Sequence, residues 1–571
     1  MDRPPVEFSS KRHVVLRILV ADPLAETGLD VLRRRDDIEL DLRDGLQGEP
    51  LREALLQADG VIVRSGTELT ADALAEQPRL RAIVRAGVGV DNIDLEAATR
   101  AGVVVMNTPA GNTTSTAEHS IAMLMALSRN IAPASNSLRK GEWDRDRFVG
   151  TQLAGKTLAV VGLGRVGLAV CQRARGLQMR VIGFDPFLSS ERASELGIEL
   201  YDDLDAILPE CDFLTVHTPL TDQTRGLIDA QRLAAMKPGA RIINCARGGV
   251  VDETALAEAL AAGHIGGAAI DVFEHEPPGD HPLLADPRVL ATPHLGASTE
   301  EAQESVAVEA AEILTGFLVD GEVKHAVNMA PISATELAGI RVYLDLAHRL
   351  GLLLAQLNRS SRVRRAEVQY RGEVAEKSTR LVTAGFAAGL LSEALDAEVN
   401  LVNAEWMARE RGIELRESRT SESGDFTTLV RTSLKTDAGT RSASATVFGN
   451  QFLRLVRLDG FQLDAFLDGN LLLVRHRDVP GLIGFIGSVL GTHKINIAHL
   501  SLGRERDEPG GEALAVLNLD SPPNDLSLDA LRDHDHVSCV ELLRLPVAGT
   551  PLPWLGSSPP GSVLKNDPPD P

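Results

Sequence analysis

Residues 157–170, TLAVVGLGRVGLAV, run an apolar strand pattern straight into a glycine turn and then into a helical pattern. Gly162, Gly164 and Gly167 stand at GxGxxG spacing, and roughly twenty residues on the next strand pattern, RVIGFD, ends in Asp185. Few folds accommodate this order of elements. The first glycine allows a tight turn, the second lets the backbone approach a pyrophosphate, and the third lets helix and strand pack closely. The phosphate charge then rests on the helix N-terminus. The stretch therefore predicts one strand of a parallel, doubly wound sheet that binds a dinucleotide, with Arg165 and Val166 inside the loop. Asp185 is placed to accept from the adenosine ribose. Its charge repels a 2′-phosphate, so NAD is expected rather than NADP.

The alternation continues on both sides. Short Val/Ile/Leu runs separated by helical patterns occupy 14–108 and again 157–293, which predicts two parallel sheets with crossovers. Between them, 115–143 reads as one long helix with Ser115 and Glu118 at capping-box spacing. A second amphipathic helix follows residue 294, with Ser298 and Glu301 in capping positions, and 327–334 reads as a linker.

Three of the later strand patterns end in NCARGG, DVFEHEPP and TPHLGAST. Carboxyl ends of strands face the ligand crevice in such a sheet, so Arg247, Glu276 and His294 are expected to converge there. Histidine suits removal of a hydroxyl proton near neutral pH. A carboxylate behind it fixes the tautomer, and an arginine grips a substrate carboxylate with two parallel bonds. Thr218, Pro219, Cys245 and Asp271 are assigned to the same crevice on the cofactor side.

The stretches GLGRVG, NCARGGVVDE, AAIDVFEHEPP and TPHLGAST resemble the signatures of the D-isomer-specific 2-hydroxyacid dehydrogenases. The resemblance implies that Arg247, Glu276 and His294 are catalytic, and that a Rossmann NAD domain is inserted into a flavodoxin-like substrate domain. VIVRSGTELT and AIVRAGVGVDNID are similar to the branch of that family that oxidises 3-phosphoglycerate at the head of serine synthesis. That likeness puts Arg64 and Ser65 on the substrate phosphate and Arg85, Gly87 and Val88 around it. It adds Asn112 and Gln303 as substrate contacts, and Arg145 as a residue presented across a subunit interface.

Residues 335–466 are positioned like an α+β intervening domain of the long-form members, and 469–545 resemble a C-terminal ACT domain, a ferredoxin-like strand–helix–strand–strand–helix–strand unit. His476 and Asn496 match positions that line an amino-acid ligand in serine-inhibited members. Asp478 departs from the asparagine of the short-form pattern. The expected organisation is thus a tail (1–13), a substrate domain in two parts (14–110 and 294–330), an NAD domain (111–293), the intervening domain, the ACT domain and a disordered proline-rich tail (549–571).

Bulk properties narrow the partners. A net charge of −22 disfavours nucleic acid and anionic membrane. The four cysteines are scattered without CxxC or CxxH pairs, so neither a metal site nor a disulfide framework is expected, and a cytoplasmic setting fits. The expected activity is NAD-dependent oxidation of 3-phosphoglycerate by a homotetramer, with L-serine as a possible effector and 2-oxoglutarate reduction as a side reaction. A general D-2-hydroxyacid dehydrogenase or hydroxypyruvate reductase, and a non-enzymatic NADH-sensing scaffold, remain open alternatives.

Overall fold

The computed structural model describes residues 15–552, except 359–360, 393–394, 396–398, 423, 450, 506–509 and 551. The expected tail at 1–13 and most of that at 549–571 lie outside the described residues. Leu16–Val20, Ile38–Leu42, Gly60–Val63, Ala82–Arg85 and Val104–Asn107 (β1 to β5) form a parallel sheet in the order β2-β1-β3-β4-β5. A second parallel sheet is built from Thr157–Val161, Arg180–Phe184, Glu199–Tyr201, Phe213–Val216, Arg241–Asn244, Gly267–Ile270 and Val289–Ala291 (β6 to β12), in the order β12-β11-β10-β9-β6-β7-β8. Its strands are short Val, Ile, Leu and Ala runs because helices bury both faces. The short edge strand Glu199–Tyr201 was not anticipated; its pattern of exposed and half-buried residues carries no apolar run.

The helix Glu300–Thr315 returns from the second sheet to the first, as the split-domain expectation requires. Val306, Ala310, Ala311 and Leu314 share a core with Ile18, Val20, Ile62 and Val84. Backbone contact there is close enough that a Cβ on Gly28 would lie 2.6 Å from the Ala307 carbonyl carbon. Both expected helix starts shift. Thr299 caps the returning helix by accepting from Ala302 N–H, one residue beyond Ser298. The helix expected over 115–143 starts at Thr113 and is two helices, Thr113–Ser128 and Ile131–Arg139. Asn130 between them is left-handed (φ 55°), and Pro133 could not extend the first helix without losing a bond and clashing. Ser115 caps nothing and reaches Gly296 instead. The expected linker at 327–334 is tied down: Asn328 bonds to the backbone of Val103 and Val105, and Val323 pairs with Ile332.

Val363–Gly372, Glu414–Thr420, Thr428–Thr436, Gly439–Phe448, Phe452–Leu458 and Phe461–Phe466 (β13 to β18) form a six-stranded sheet in the order β14-β13-β15-β16-β17-β18. The helices Ala334–Leu357 and Thr379–Ser392 pack with it. The last unit has Asn470–Arg477, Ile497–Arg504, Glu512–Leu519 and Val537–Arg544 (β19 to β22) in the order β20-β21-β19-β22, with helices Leu482–Thr492 and Asp525–Arg532. This is the expected ferredoxin-like arrangement.

One buried side chain of the Ala334–Leu357 helix holds both ends of the last unit. Arg349 is 1% exposed. Its Nε donates to Asp345 Oδ1 at 2.7 Å, and its terminal nitrogens donate to the carbonyls of Leu467, Pro546 and Val547. Leu467 enters the four-stranded unit and Pro546 leaves it, so one guanidinium holds both ends. Gln356, farther along the same helix, exchanges two hydrogen bonds of 2.8 Å with the backbone of Arg544. Arg349→Met leaves three carbonyls without this donor and strips Asp345 of its cation. The expected cost is about 3–5 kcal/mol in the opening free energy of β19 and β22, read by native-state hydrogen exchange. Unchanged exchange there would refute the clamp.

Candidate active site

Two sheets present their carboxyl ends to one crevice. On the first, Arg64 follows β3 and Arg85 ends β4, and the next loop is Ala86–Asp91. The Arg64 backbone is fixed by Asp22, whose Oδ2 accepts from the N–H groups of Arg64 (2.5 Å) and Thr67 (3.2 Å). Ser65 is exposed beside it. Gly87 has φ 152°, and a Cβ there would meet an Arg85 nitrogen at 1.7 Å. A Cβ on Gly89 would meet an Arg247 nitrogen at 2.1 Å. The loop is glycine-rich because two guanidiniums lie against its backbone. Burial, then the neighbouring charge of Arg247 and that of Arg64, lower the Arg85 pKa to about 10, with Asp91 and Asp22 only partly compensating. Arg85 Nε is buried with no hydrogen-bond partner among the described residues. Arg85 thus sits between two like charges with this buried donor unpartnered, an arrangement complementary to a multiply charged anion. Val88 lies in the same loop, its carbonyl accepting from Asn107.

Arg247 projects from the loop after β10 and bridges the sheets. Its Nε reaches Asp91 at 3.2 Å, and Asn244 holds its carbonyl at 2.9 Å. Gly248 lies against Phe273, where a Cβ would be 2.0 Å from the carbonyl carbon. The Phe273 N–H donates to Glu276 Oε1 at 3.0 Å, and Glu276 Oε2 is 2.7 Å from His294 Nδ1. Burial alone would raise the Glu276 carboxyl; the hydrogen bonds from His294 and Phe273 outweigh it and hold the group below the usual carboxylate range. An ionised Glu276 can only accept, so Nδ1 carries the proton and Nε2 is left as an acceptor.

The sequence reading missed what holds His294 in place. His294 is left-handed (φ 53°) and donates its N–H to the Asp271 carbonyl at 2.8 Å. The Asp271 carboxylate accepts from Leu295 N–H (2.7 Å), Gly296 N–H (2.9 Å) and the Thr292 hydroxyl (2.6 Å). His119 Nε2 lies 3.2 Å from both Asp271 and Thr292, and Ser115 and Thr116 donate to the Gly296 carbonyl. One face of the Thr113–Ser128 helix thus clamps the loop that bears His294. The Ser-x-x-x-His spacing, STAEH, was the available signal.

The dinucleotide crevice has the expected shape. Gly162 (φ 90°) and Gly167 have no room for a Cβ, which would sit 2.6 Å from the His217 carbonyl oxygen and 2.0 Å from that of Gly162. Gly164 opens on free space, and no side chain caps the Arg165–Gly176 helix behind it, so its first N–H groups are open to an anion. Arg165 is exposed there and Val166 half-buried. Asp185 is oriented by the N–H groups of Leu163 (2.7 Å) and Phe187 (2.8 Å), with lone pairs left for ribose hydroxyls. Thr218 Oγ1 and Asn112 Oδ1 are buried with no partner among the described residues, and Pro219 is exposed beside Thr218. Burial and the nearby Asp271 push the Cys245 thiol up to about 12, so it is a neutral packing group. Gln303 is half-buried on the returning helix, and Arg145 is exposed before the turn Asp146–Phe148.

In the four-stranded unit the three expected effector residues each hold a different partner. His476 is buried, with Nδ1 2.7 Å from the Arg477 carbonyl and Nε2 unpartnered among the described residues. Asp478 pairs with Arg504 at 2.8 Å, and Asn496 donates to Asp520 at 2.7 Å. The departure to aspartate at 478 is thus balanced by an arginine from β20.

A family model for the D-isomer specific 2-hydroxyacid dehydrogenase NAD binding domain matches residues 121–296. The site and fold therefore define an NAD-binding dehydrogenase of that class. A model for the D-3-phosphoglycerate dehydrogenase intervening domain matches 339–459, and one for the ACT domain 470–536. The chain is 41% identical over 532 residues to D-3-phosphoglycerate dehydrogenase of Bacillus subtilis, covering 93% of this chain and 100% of the relative. It is 41% identical over 531 residues to that of Methanocaldococcus jannaschii, with the same coverage. A solved protein, TT0316 of Thermus thermophilus, is 36% identical with a TM-score of 0.50, covering 55% of this chain and 100% of its own. The chain belongs to the D-3-phosphoglycerate dehydrogenase family. No helix among the described residues is long and apolar enough to cross a membrane.

Beside the glycine turn, burial lowers the His217 pKa to about 4. The unfolded chain takes up that proton near pH 6.5, before the folded chain does. Stability from this group is full above about pH 6.5 and is lost as pH falls toward 4, by up to about 3 kcal/mol. A urea titration from pH 7.5 to 5 should therefore show a smaller loss in His217→Gln than in the parent chain; equal slopes would rule the histidine out.

Proposed function

We propose that this chain oxidises 3-phospho-D-glycerate to 3-phosphohydroxypyruvate with NAD, the first step of L-serine biosynthesis. The observation that carries this reading is the convergence of Arg64 and Arg247 on Arg85, with the Arg85 and Arg247 guanidiniums against one glycine loop. A substrate with both a phosphate and a carboxylate neutralises that convergence; an unphosphorylated hydroxy acid does so only in part.

Bound NAD supplies the two-electron acceptor. Arg247 holds the substrate carboxylate, while Arg64, Ser65 and Arg85 hold the phosphate with the backbone at Gly87 and Val88. Asn112 and Gln303 complete the pocket. His294 Nε2 takes the C2 hydroxyl proton as the carbonyl forms. The imidazolium is stabilised by Glu276, 2.7 Å from Nδ1. The left-handed backbone of His294, fixed by Asp271, aims the ring.

The proposal extends to assembly and setting. Trp143 and Val149 are 79% and 78% exposed on either side of Arg145, a surface suited to burial by another subunit. That supports a homotetramer in which Arg145 serves the neighbouring site. The ACT match supports L-serine as the effector at His476, Asp478 and Asn496. Three buried free cysteines and an exposed one, Cys539, suit the reducing cytoplasm.

Two experiments test the reading. His294→Ala should lower kcat by roughly two to four decades while NADH affinity survives; a kcat within threefold of the parent would sink the acid/base assignment. The kcat/KM for 3-phosphohydroxypyruvate should exceed that for hydroxypyruvate by on the order of 10²–10⁴-fold, two charge-assisted contacts at about 1.5–3 kcal/mol each. Arg64→Gln should shrink that ratio at least tenfold. Near-equal values in the parent chain would favour a general 2-hydroxyacid reductase.

A further inference from the structure

A cavity of about 290 Å³ lies between the six-stranded and four-stranded sheets, far along the chain from the residues of the catalytic crevice. Leu473, Leu514, Leu458 and Leu357 give it an apolar lining. Its polar lining is Thr440, Arg441, Asp459, Arg475, Glu541 and Cys539. Arg441 is already neutralised by Asp459 at 2.7 Å, and the other Asp459 oxygen accepts from Ser442 N–H.

Arg475 and Glu541 are not matched in this way. Among the described residues, neither has an oppositely charged group within ion-pair distance. Arg475 lies opposite Cys539, and Leu473 opposite Glu541, on the paired strands β19 and β22. Alternate residues share a face, so Arg475 and Glu541 are diagonal neighbours on the face that looks into the cavity. Diagonal Cα atoms are about 7–8 Å apart, a spacing that a small molecule can bridge. Arg475 also sits over the Phe461 ring, 5.3 Å from its centroid, which steadies the guanidinium without using its donors. Arg532, a further charged neighbour of Cys539, bonds Asp529, and it borders a second pocket with Glu541 and Arg544.

An uncommitted guanidinium, an uncommitted carboxylate and a leucine floor specify a zwitterion with an apolar side chain. We propose that this cavity binds an aliphatic α-amino acid, with its carboxylate on Arg475, its ammonium on Glu541 and its side chain on Leu458, Leu473 and Leu514. The leucine floor matches an aliphatic side chain rather than a hydroxymethyl group, so this is a different ligand and site from the one at His476, Asp478 and Asn496. His476 follows Arg475 on β19 and points to the opposite face of the sheet. Since the cavity takes residues from both sheets, its occupant would hold the two units in one relative position.

The test is isothermal titration of the full chain with L-leucine and L-valine, with L-serine and inorganic phosphate as comparisons. L-leucine or L-valine should bind. Arg475→Gln and Glu541→Gln should each weaken that binding by on the order of tenfold or more, the loss of one charge-assisted contact. Asp478→Asn should leave it unchanged, while any L-serine binding should follow the reverse pattern. In the parent chain, L-leucine should also slow hydrogen exchange at 440–442 and 458–461, a readout that does not depend on the variants. No heat and no protection with either aliphatic amino acid would overturn the proposal. Undiminished binding in both variants, or displacement of L-leucine by phosphate, would overturn it as well.

Discussion

The catalytic end of this molecule hangs on the Asp271 carboxylate. Buried without partners, such a group would cost several kcal/mol or take up a proton. Here it is buried and accepts from two backbone N–H groups and a hydroxyl of the segment that carries His294. Burial raises its pKa, and these bonds together with His119 more than reverse that, so it stays ionised. The carboxylate therefore dictates the path of the 292–296 backbone, including the left-handed turn at His294, which an L-residue adopts only when its surroundings compel it. Because His119, Ser115 and Thr116 lie on the helix that leads from the first sheet into the second, His294 is positioned by the element that joins the two sheets.

The arginine cluster is the complementary constraint. Lowering Arg85 to about 10 from 12.5 corresponds to about 3 kcal/mol disfavouring its charged form. The loop accepts that arrangement because Gly87 and Gly89 let guanidiniums lie on the backbone, and Asp91 offsets part of the charge. In the proposed reading a doubly charged anionic substrate relieves this repulsion, which ties preference for a phosphate to the strain of the cleft.

Much of this was legible in the sequence because backbone geometry there depends on residue type. The GxGxxG turn had to be a strand–turn–helix, since only glycine satisfies the contacts found at Gly162 and Gly167. Arg247, Glu276 and His294 could be grouped because each follows a parallel strand, and parallel strands bring their ends to one edge. What escaped depends on contacts between segments far apart in the chain. Ser115 looked like a cap because capping boxes are local patterns; its real acceptor is the carbonyl of Gly296. Nothing local marks Arg349 as a clamp or gives Asp478 its partner; Leu467, Pro546 and Arg504 reach them only in the fold. Residues 327–334 looked like free linker because Asn328 pairs with backbone more than two hundred positions away.

Arg349 and Gln356 lie seven residues apart on one helix, two turns and about 10 Å along a single face. Each grips the four-stranded unit, the first at its entrance and exit together, the second at its edge strand. Two fixed points define a line. A body held on a line alone could turn about it, but Ser501 and His499 of β20 hydrogen-bond to the Asp464 backbone, and Asn518 of β21 to the backbone of Phe466 and Asp468, which removes that freedom. With its entrance, its exit and both edges tied down, the ACT unit and the six-stranded unit form one block, and a displacement of either is carried into the other.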